Sequence, residues 1–464
     1  MKLKSIDINQ QKFRITKFLG YGKKSFGMAK FFDYFDERRE NKQKNDAYAI
    51  FTFLLGFACK VPSMRALESF SDDLGYYCHR SVLESFLKLE NLPRRLRRQL
   101  KSMARAMQSG KMLKLDNING RKLGAVDGVE VYRKSYTPEE FYTAVKQRKV
   151  CGLCCVNVHR DSSTNEIIRY ECYHRVIVLS LVTNRGPMPI DWEFQTSTAG
   201  EDYLNWLNSG ANPNKHPKEE GSEQDVKQTG ELTAAKTLIA RLNCEYNGFL
   251  PFNTIVSDSL YDKANIIDLF EDYGIALIAG HKNKTRKLRT QAEKDFQKRN
   301  PRIWKIKNTS YQGYQGVYCD PNRQSSKANK VKIVCVERAE KGKKAVTNYF
   351  YCSNYAWMTP QFVEWCRHYR WKLENGFNDW TNKWKILKHM FHHHETACNS
   401  IIGLLFIAVI WVQNFWKGNL NRGVIGVKTL SETYERFFST LKEGVYQILR
   451  HIEYGSFFRQ INSS

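Results

Sequence analysis

The chain has 464 residues, of which 42% are apolar, with 24 Tyr, 27 Phe and 10 Trp. That is enough to build a sizeable core, and it excludes a wholly disordered chain. The 73 Lys and Arg outweigh 47 Asp and Glu, leaving a net charge of +26. So large an excess strains a compact fold by self-repulsion, which puts DNA or RNA first among partners and an anionic membrane surface second.

The opening MKLKSIDINQQKFRITKF has lysines but no continuous apolar core, so no signal peptide is expected. Residues 1 to about 115 read as helical, with AYAIFTFLLGFACKV (47–61) apolar nearly all round and Pro62 and Ser63 placed to start the next helix. From Arg94 to Lys122 the only acid is Asp116, and the cluster PRRLRRQLKSMAR puts Arg94, Arg98 and Lys101 on one helical stripe. An ordinary solvated helix mixes its charge signs, so this stripe is expected to contact a DNA backbone.

At residue 123 the texture becomes strand-like. LGAVDGVEVY holds Asp127, and CGLCCVNVHR (151–160) and YHRVIVLSLVT (173–183) follow. The polar stretch 212–230 reads as loop and 231–246 as helix. Residues 253–280 then give strand, Asp258, helix, strand. This alternation predicts a sheet with helical crossovers, and Asp258 falls at the carboxyl end of a strand, where open α/β sheets place their ligands. An acid inside a central strand, as at Asp127, needs a partner, and a metal is the usual one.

Residues 281–344 hold nineteen Lys and Arg against five acids, with Trp304, Tyr311, Tyr314 and Tyr318 interleaved among strand-like pieces. Such a surface suits phosphate contacts with stacking on exposed bases; the plainer alternative is a solvated hairpin insertion packed on the core. Residues 359–389 form one long helical pattern in which Arg370 and Glu374 share a face. The apolar run 401–412 is too short to span a bilayer and reads as a buried helix. Residues 433–452 read as an amphipathic helix without a legible function.

Three carboxylates from distant points, Asp127, Asp258 and Glu374, could hold two divalent cations about 4 Å apart for phosphodiester chemistry, with Mg²⁺ or Mn²⁺ suited to oxygen ligands. Composition and order alone do not select these three from 47 acids. Cys151, Cys154, Cys172 and His174 have the spacing of a structural Zn²⁺ site, but read more simply as residues packed on adjacent strands. The other cysteines show no dense spacing, and reduced thiols in a cytosolic protein are expected. His389, His392, His393 and His394 could meet DNA or metal, but read more simply as a solvated helix end.

Four stretches carry a family likeness: AVDGVEVYRKS (125–135), the run from CGLC to ECYHRVIVLSLVT (151–183), IVSDSLYDKANIIDLFEDYGIALIAGHKN, and RWKLENGFN with its following apolar helix. With them the sequence resembles the IS4-like DDE transposases of prokaryotic insertion sequences, over roughly 120–415. The resemblance implies an RNase H-like (retroviral-integrase) α/β fold: a mixed sheet flanked by helices, an all-helical N-terminal domain, and a strand-rich basic insertion before the last catalytic helix. The implied division is a helical DNA-binding domain at 1–118, core at 119–280, insertion at 281–355, the rest of the core with the glutamate at 356–416, and a helical region at 417–464.

The resemblance further implies that Asp127, Asp258 and Glu374 bind the metal ions. Tyr261 is the tyrosine of D-x-x-Y, orienting the site or touching a phosphate, and Arg370, with the R-x3-E spacing, grips DNA. In the signature Y-x2-R-x3-E-x6-K, Arg367 stands at the tyrosine position and Thr381 at the lysine position; Lys385, one turn on, could supply the missing charge. Double-stranded DNA, as terminal inverted repeats and target, is the implied partner of a homodimer in the cytoplasm, associated with the nucleoid, with no membrane role. The competing readings are a metal-dependent nuclease or resolvase that never joins, and a non-catalytic DNA-binding derivative.

Overall fold

The computed structural model describes residues 46–415, except 74–76, 110–119, 184–185, 211–222, 247–249, 284–285, 324–328, 384–385 and 389–391, together with scattered positions between 18 and 31. The amphipathic helix expected at 433–452 lies outside the described residues. Between residue 46 and the sheet, the described residues form the helices α1 (Asp46–Ala58), α2 (Met64–Asp73), α3 (Arg80–Leu87) and α4 (Leu92–Ser109). The Ser63 hydroxyl accepts from Ala66 N at 3.2 Å, so α2 starts at the Pro-Ser pair, as its sequence predicts.

The strands are β1 (Leu123–Tyr136), β2 (Cys154–Arg160), β3 (Ile167–Thr183), β4 (Gly186–Phe194), β5 (Thr254–Ser257), β6 (Ala276–Gly280), β7 (Arg302–Ile306), β8 (Thr309–Cys319), β9 (Lys330–Glu340) and β10 (Val346–Ser353). Between them lie α5 (Pro138–Lys146), α6 (Ala199–Asn208), α7 (Glu223–Glu245), α8 (Ala264–Asp272) and α9 (Lys287–Phe296); α10 (Pro360–Asn378) and α11 (Glu395–Phe415) follow. All ten strands form one sheet in the order β2-β3-β1-β5-β6-β10-β9-β8-β7, with β4 also on β3. Strand β1 is antiparallel to β3 and parallel to β5, and β5 is parallel to β6. The block β4-β3-β1-β5-β6, with helices on it, is the RNase H-like arrangement: a mixed sheet flanked by helices and preceded by a helical region. Strands β2 and β4 share one edge of β3 end to end, β2 along 167–174 and β4 along 176–183.

Helix α11 is longer than its apolar run suggests. Its 21 residues make it long and apolar enough to cross a bilayer by length and composition. From Ala397 to Phe415 every residue except Asn399 is buried, and the helix packs on α1, α3, α4 and β4. It is the shared core between the helical region and the sheet. The Ser400 hydroxyl donates to the Leu87 carbonyl at 3.0 Å, and Trp411 Nε1 to that of Phe18 at 3.1 Å.

Two expectations need correction. Helix α7 begins at Glu223, within the stretch read as loop; Glu, Gln and Lys there signal solvent and also favour helix. Gly230 is required inside it because a Cβ would lie 2.5 Å from the Gln195 amide. The helical pattern of 359–389 breaks after Asn378 into a wide turn at Asp379–Lys383. The strands of 281–355 continue the core sheet, with β10 pairing antiparallel with β6.

Candidate active site

Strand β1 enters the sheet with Leu123, Gly124, Ala125 and Val126 all buried. Its parallel register with β5 runs through Ala125 and Val256. Asp127 and Asp258 each stand two residues past that pair, so two carboxylates emerge side by side where the strands part. Asp258 caps the short 3₁₀ turn Ser259–Tyr261, accepting from Leu260 N at 2.8 Å. Glu374 comes from α10, whose first turn is fixed by the Thr359 side chain accepting from Phe362 N at 3.3 Å and by Pro360. Arg370, one turn before Glu374, joins the two sides: its guanidinium is 2.7 Å from Glu374 Oε1 and 3.2 Å from Asp127 Oδ2.

A fourth carboxylate lies behind this group. Glu231, on α7 and only 2% exposed, is 2.7 Å from Arg175 Nε and accepts from the Tyr261 hydroxyl at 3.3 Å. Gly128, next to Asp127, is what lets it in: a Cβ there would sit 2.9 Å from the Glu231 carboxylate. Glu231 sits at the edge of the polar stretch taken as loop, and nothing local in its sequence marks it. Tyr261, expected among DNA-contacting residues, is fully buried. Its hydroxyl serves Glu231 behind the site, so it does not touch a phosphate in this conformation.

The other expected DNA contacts are dispersed. Arg94 and Arg98 are exposed on α4, whereas the Lys101 ammonium lies over the Tyr246 ring at 5.1 Å. Arg367 pairs with Glu364 on its own helix at 2.7 and 2.9 Å. Lys385 lies outside the described residues, and Thr381 donates to the Phe377 carbonyl at 2.7 Å. Two features the sequence reading missed flank the acids. A cavity of about 790 Å³ opens by the Ser259–Tyr261 turn, lined in part by Lys263, Lys282 and the ion pair of Arg286 with Asp262. On α10, Trp365 and Trp371 are 41% and 56% exposed, next to the arginines.

Burial, then the charge of Asp258, pushes the Asp127 carboxyl up to about 7, and the Arg370 guanidinium offsets this only in part; Glu231 and Glu374 add to the upward push. A crowded set of hard oxygen donors short of positive charge fits divalent cations such as Mg²⁺ or Mn²⁺. The triad is more open than a closed cage. Among the described residues, the group of potential ligands whose atoms all lie within 4.8 Å is Cys151, Cys154 and His174. Cys172, expected with them, is outside that group and packs beside Tyr136 and Tyr170.

The raised carboxyl gives a pH prediction. In the unfolded chain Asp127 titrates near 4 and in the fold near 7. Between those values the folded state holds the extra proton, so this group's contribution to stability falls as pH rises from about 4 to about 7. Without divalent cations, the melting temperature of Asp127→Asn should therefore overtake that of the wild type by a few degrees at pH 8 and not at pH 4. Added Mg²⁺ or Mn²⁺ should raise the wild type selectively. Parallel melting curves across pH for the two proteins would sink this account of the site.

No curated protein matches the chain. Residues 220–410 match the family model of the transposase DDE domain. That stretch contains Glu231, Asp258 and Glu374, while Asp127 reaches the same place through β1. Over those residues the chain is similar to the DDE transposases, enzymes that act on DNA and typically use divalent metal.

Proposed function

We propose that the protein is the transposase of an IS4-like insertion sequence, cutting the element's ends and joining them to target DNA. The observation that carries this reading is the convergence of Asp127, Asp258 and Glu374 from β1, β5 and α10, with Arg370 set between Asp127 and Glu374. Asp127, Asp258 and Glu374 would hold Mg²⁺ or Mn²⁺. Ions held there would supply the Lewis-acid chemistry that cleavage and strand transfer both need. Arg370 keeps the carboxylates from repelling one another and offers a guanidinium to a DNA phosphate. Glu231, held by Arg175 and Tyr261, fixes the wall behind Asp127. Lys263 and Lys282 supply phosphate contacts near the turn that follows Asp258, and exposed Trp365 and Trp371 supply faces for unpaired bases.

In this reading residues 1–118 bind DNA through Arg94, Arg98 and Lys101, residues 281–355 handle the transposon end, and two chains hold two ends together. The work is done in the cytoplasm, at the nucleoid. A nuclease or resolvase on the same fold would cleave without joining. The test is a reaction of the purified full chain, with Mg²⁺ or Mn²⁺, on duplexes bearing the repeats that flank its coding region, in the presence of a target plasmid. Joined products are expected. Cleavage without joining would replace the reading by the nuclease, and binding without either step by a non-catalytic DNA-binding protein.

A further inference from the structure

Cys151, Cys154 and His174 lie on the β2 and β3 side of the sheet, apart from the acidic site. Their ligand atoms form a small triangle: 3.5 Å between the two Sγ atoms, and 3.2 and 3.1 Å from each Sγ to His174 Nε2. In a tetrahedral zinc centre, bonds of about 2.3 Å to sulfur and about 2.0 Å to nitrogen set ligand atoms roughly 3.6–3.8 Å apart. Opening the triangle by a few tenths of an ångström makes it a metal-binding face.

The supports of the triangle are rigid. Residues 151–154 close as a tight turn through Cys154 N donating to the Cys151 carbonyl at 2.9 Å. Cys151 N donates to Cys154 Sγ at 3.3 Å. His174 stands directly opposite Cys154 in the register of β2 with β3. Its ring is wholly buried and held edge-on by Tyr132 and Phe194 at 5.3 and 6.0 Å. Simple apolar packing of cysteines does not account for a buried imidazole nitrogen aimed at two sulfurs at once.

A fourth donor has to come from outside the triangle. His393, between α10 and α11, is not within the 4.8 Å group and would have to close on it. Its Nδ1 is buried with no hydrogen-bond partner among the described residues. The turn is pressed onto this segment: a Cβ on Gly152 would lie 2.3 Å from Glu395 Oε1. Of the other nearby thiols, Cys398 already donates to the His392 carbonyl at 3.1 Å, and Cys172 faces the aromatic cluster around Phe141.

We propose that Cys151, Cys154 and His174, completed by His393, bind one structural Zn²⁺ that pins the turn before β2 to the segment joining α10 to α11. The site ties together two parts of the chain that flank the acids, since β3 is the neighbour of β1 and α10 carries Glu374. It stands independently of the transposase reading.

The test uses the full chain purified without chelators. About one zinc per chain is expected by elemental analysis. Cobalt(II) exchanged into it should give the intense visible bands of a tetrahedral site with a thiolate charge-transfer band. Cys151→Ser, Cys154→Ser and His174→Gln should each lower the zinc retained against a chelator about tenfold or more, and Cys172→Ser should retain it. His393→Gln should weaken binding; wild-type affinity in that variant would overturn the fourth ligand. Because the ligand variants can fail to fold, the decisive reading is on the folded wild type. Absence of the charge-transfer band, with Cys151 and Cys154 reacting as free thiols or joined as a disulfide, overturns the site.

Discussion

Changing Asp127 or Asp258 to Asn, or Glu374 to Gln, is expected to reduce DNA cleavage and joining by about 10³-fold or more while leaving DNA binding in place. Each amide keeps the shape of the side chain and removes the charge that a divalent cation needs. Shape matters here because Arg370 spans Asp127 and Glu374, and a truncation would also release the guanidinium. Binding is expected to survive because removing a charge from a crowded acidic group relieves repulsion and leaves the basic surfaces untouched. Parallel gel-shift and cleavage assays on one end duplex separate the two effects. Near wild-type cleavage in any of the three would remove that residue from the chemistry.

The largest effect on stability is expected at Asp191. This carboxylate on β4 is 1% exposed and lies 3.1 Å from Arg97 Nε on α4 and 3.1 and 3.0 Å from Arg241 on α7. It also accepts from Trp192 N at 2.7 Å, and the Arg97 guanidinium stacks over the Trp192 ring at 4.4 Å. Burial pushes the Asp191 carboxyl up even though both guanidiniums act to lower it. Removing one member of such a group strands the others in a dry setting, so Asp191→Ala should cost about 3–5 kcal/mol in chemical denaturation. Hydrogen exchange should speed up first in α4, the helix that Arg97 anchors. A loss under about 1 kcal/mol would mean that water already screens the cluster.

The same helix shows what the sequence could convey. PRRLRRQLKSMAR was read as a DNA-facing stripe, and Arg94 and Arg98 are indeed exposed on α4, while Arg97 turns inward to Asp191. Charge density told that the segment was basic, but the inward arginine is set by a partner 94 positions away. Asp127, Asp258 and Glu374 were candidates through the family likeness, since a strand position and an arginine four residues before a glutamate do not select them from 47 acids. Glu231 was not, since its role depends on a glycine in β1 and an arginine in β3. The RNase H-like order of the sheet followed from the strand and helix alternation together with the family likeness. Its prolongation through β10 did not, because a pairing of Cys352 with Ile278 leaves no local trace in either segment.

That pairing has a practical outcome for anyone trimming the protein. Strand β6 would be the rim of the sheet if β7 to β10 were cut away, and its residues Ala276, Leu277, Ile278 and Ala279 are all buried. A deletion of 281–355 would therefore uncover a short apolar rim with open backbone donors and acceptors, the kind of edge that recruits strands from other chains. The basic hairpins double as a protective cover against self-association, and a minimal catalytic fragment has to keep at least β10 to remain dispersed.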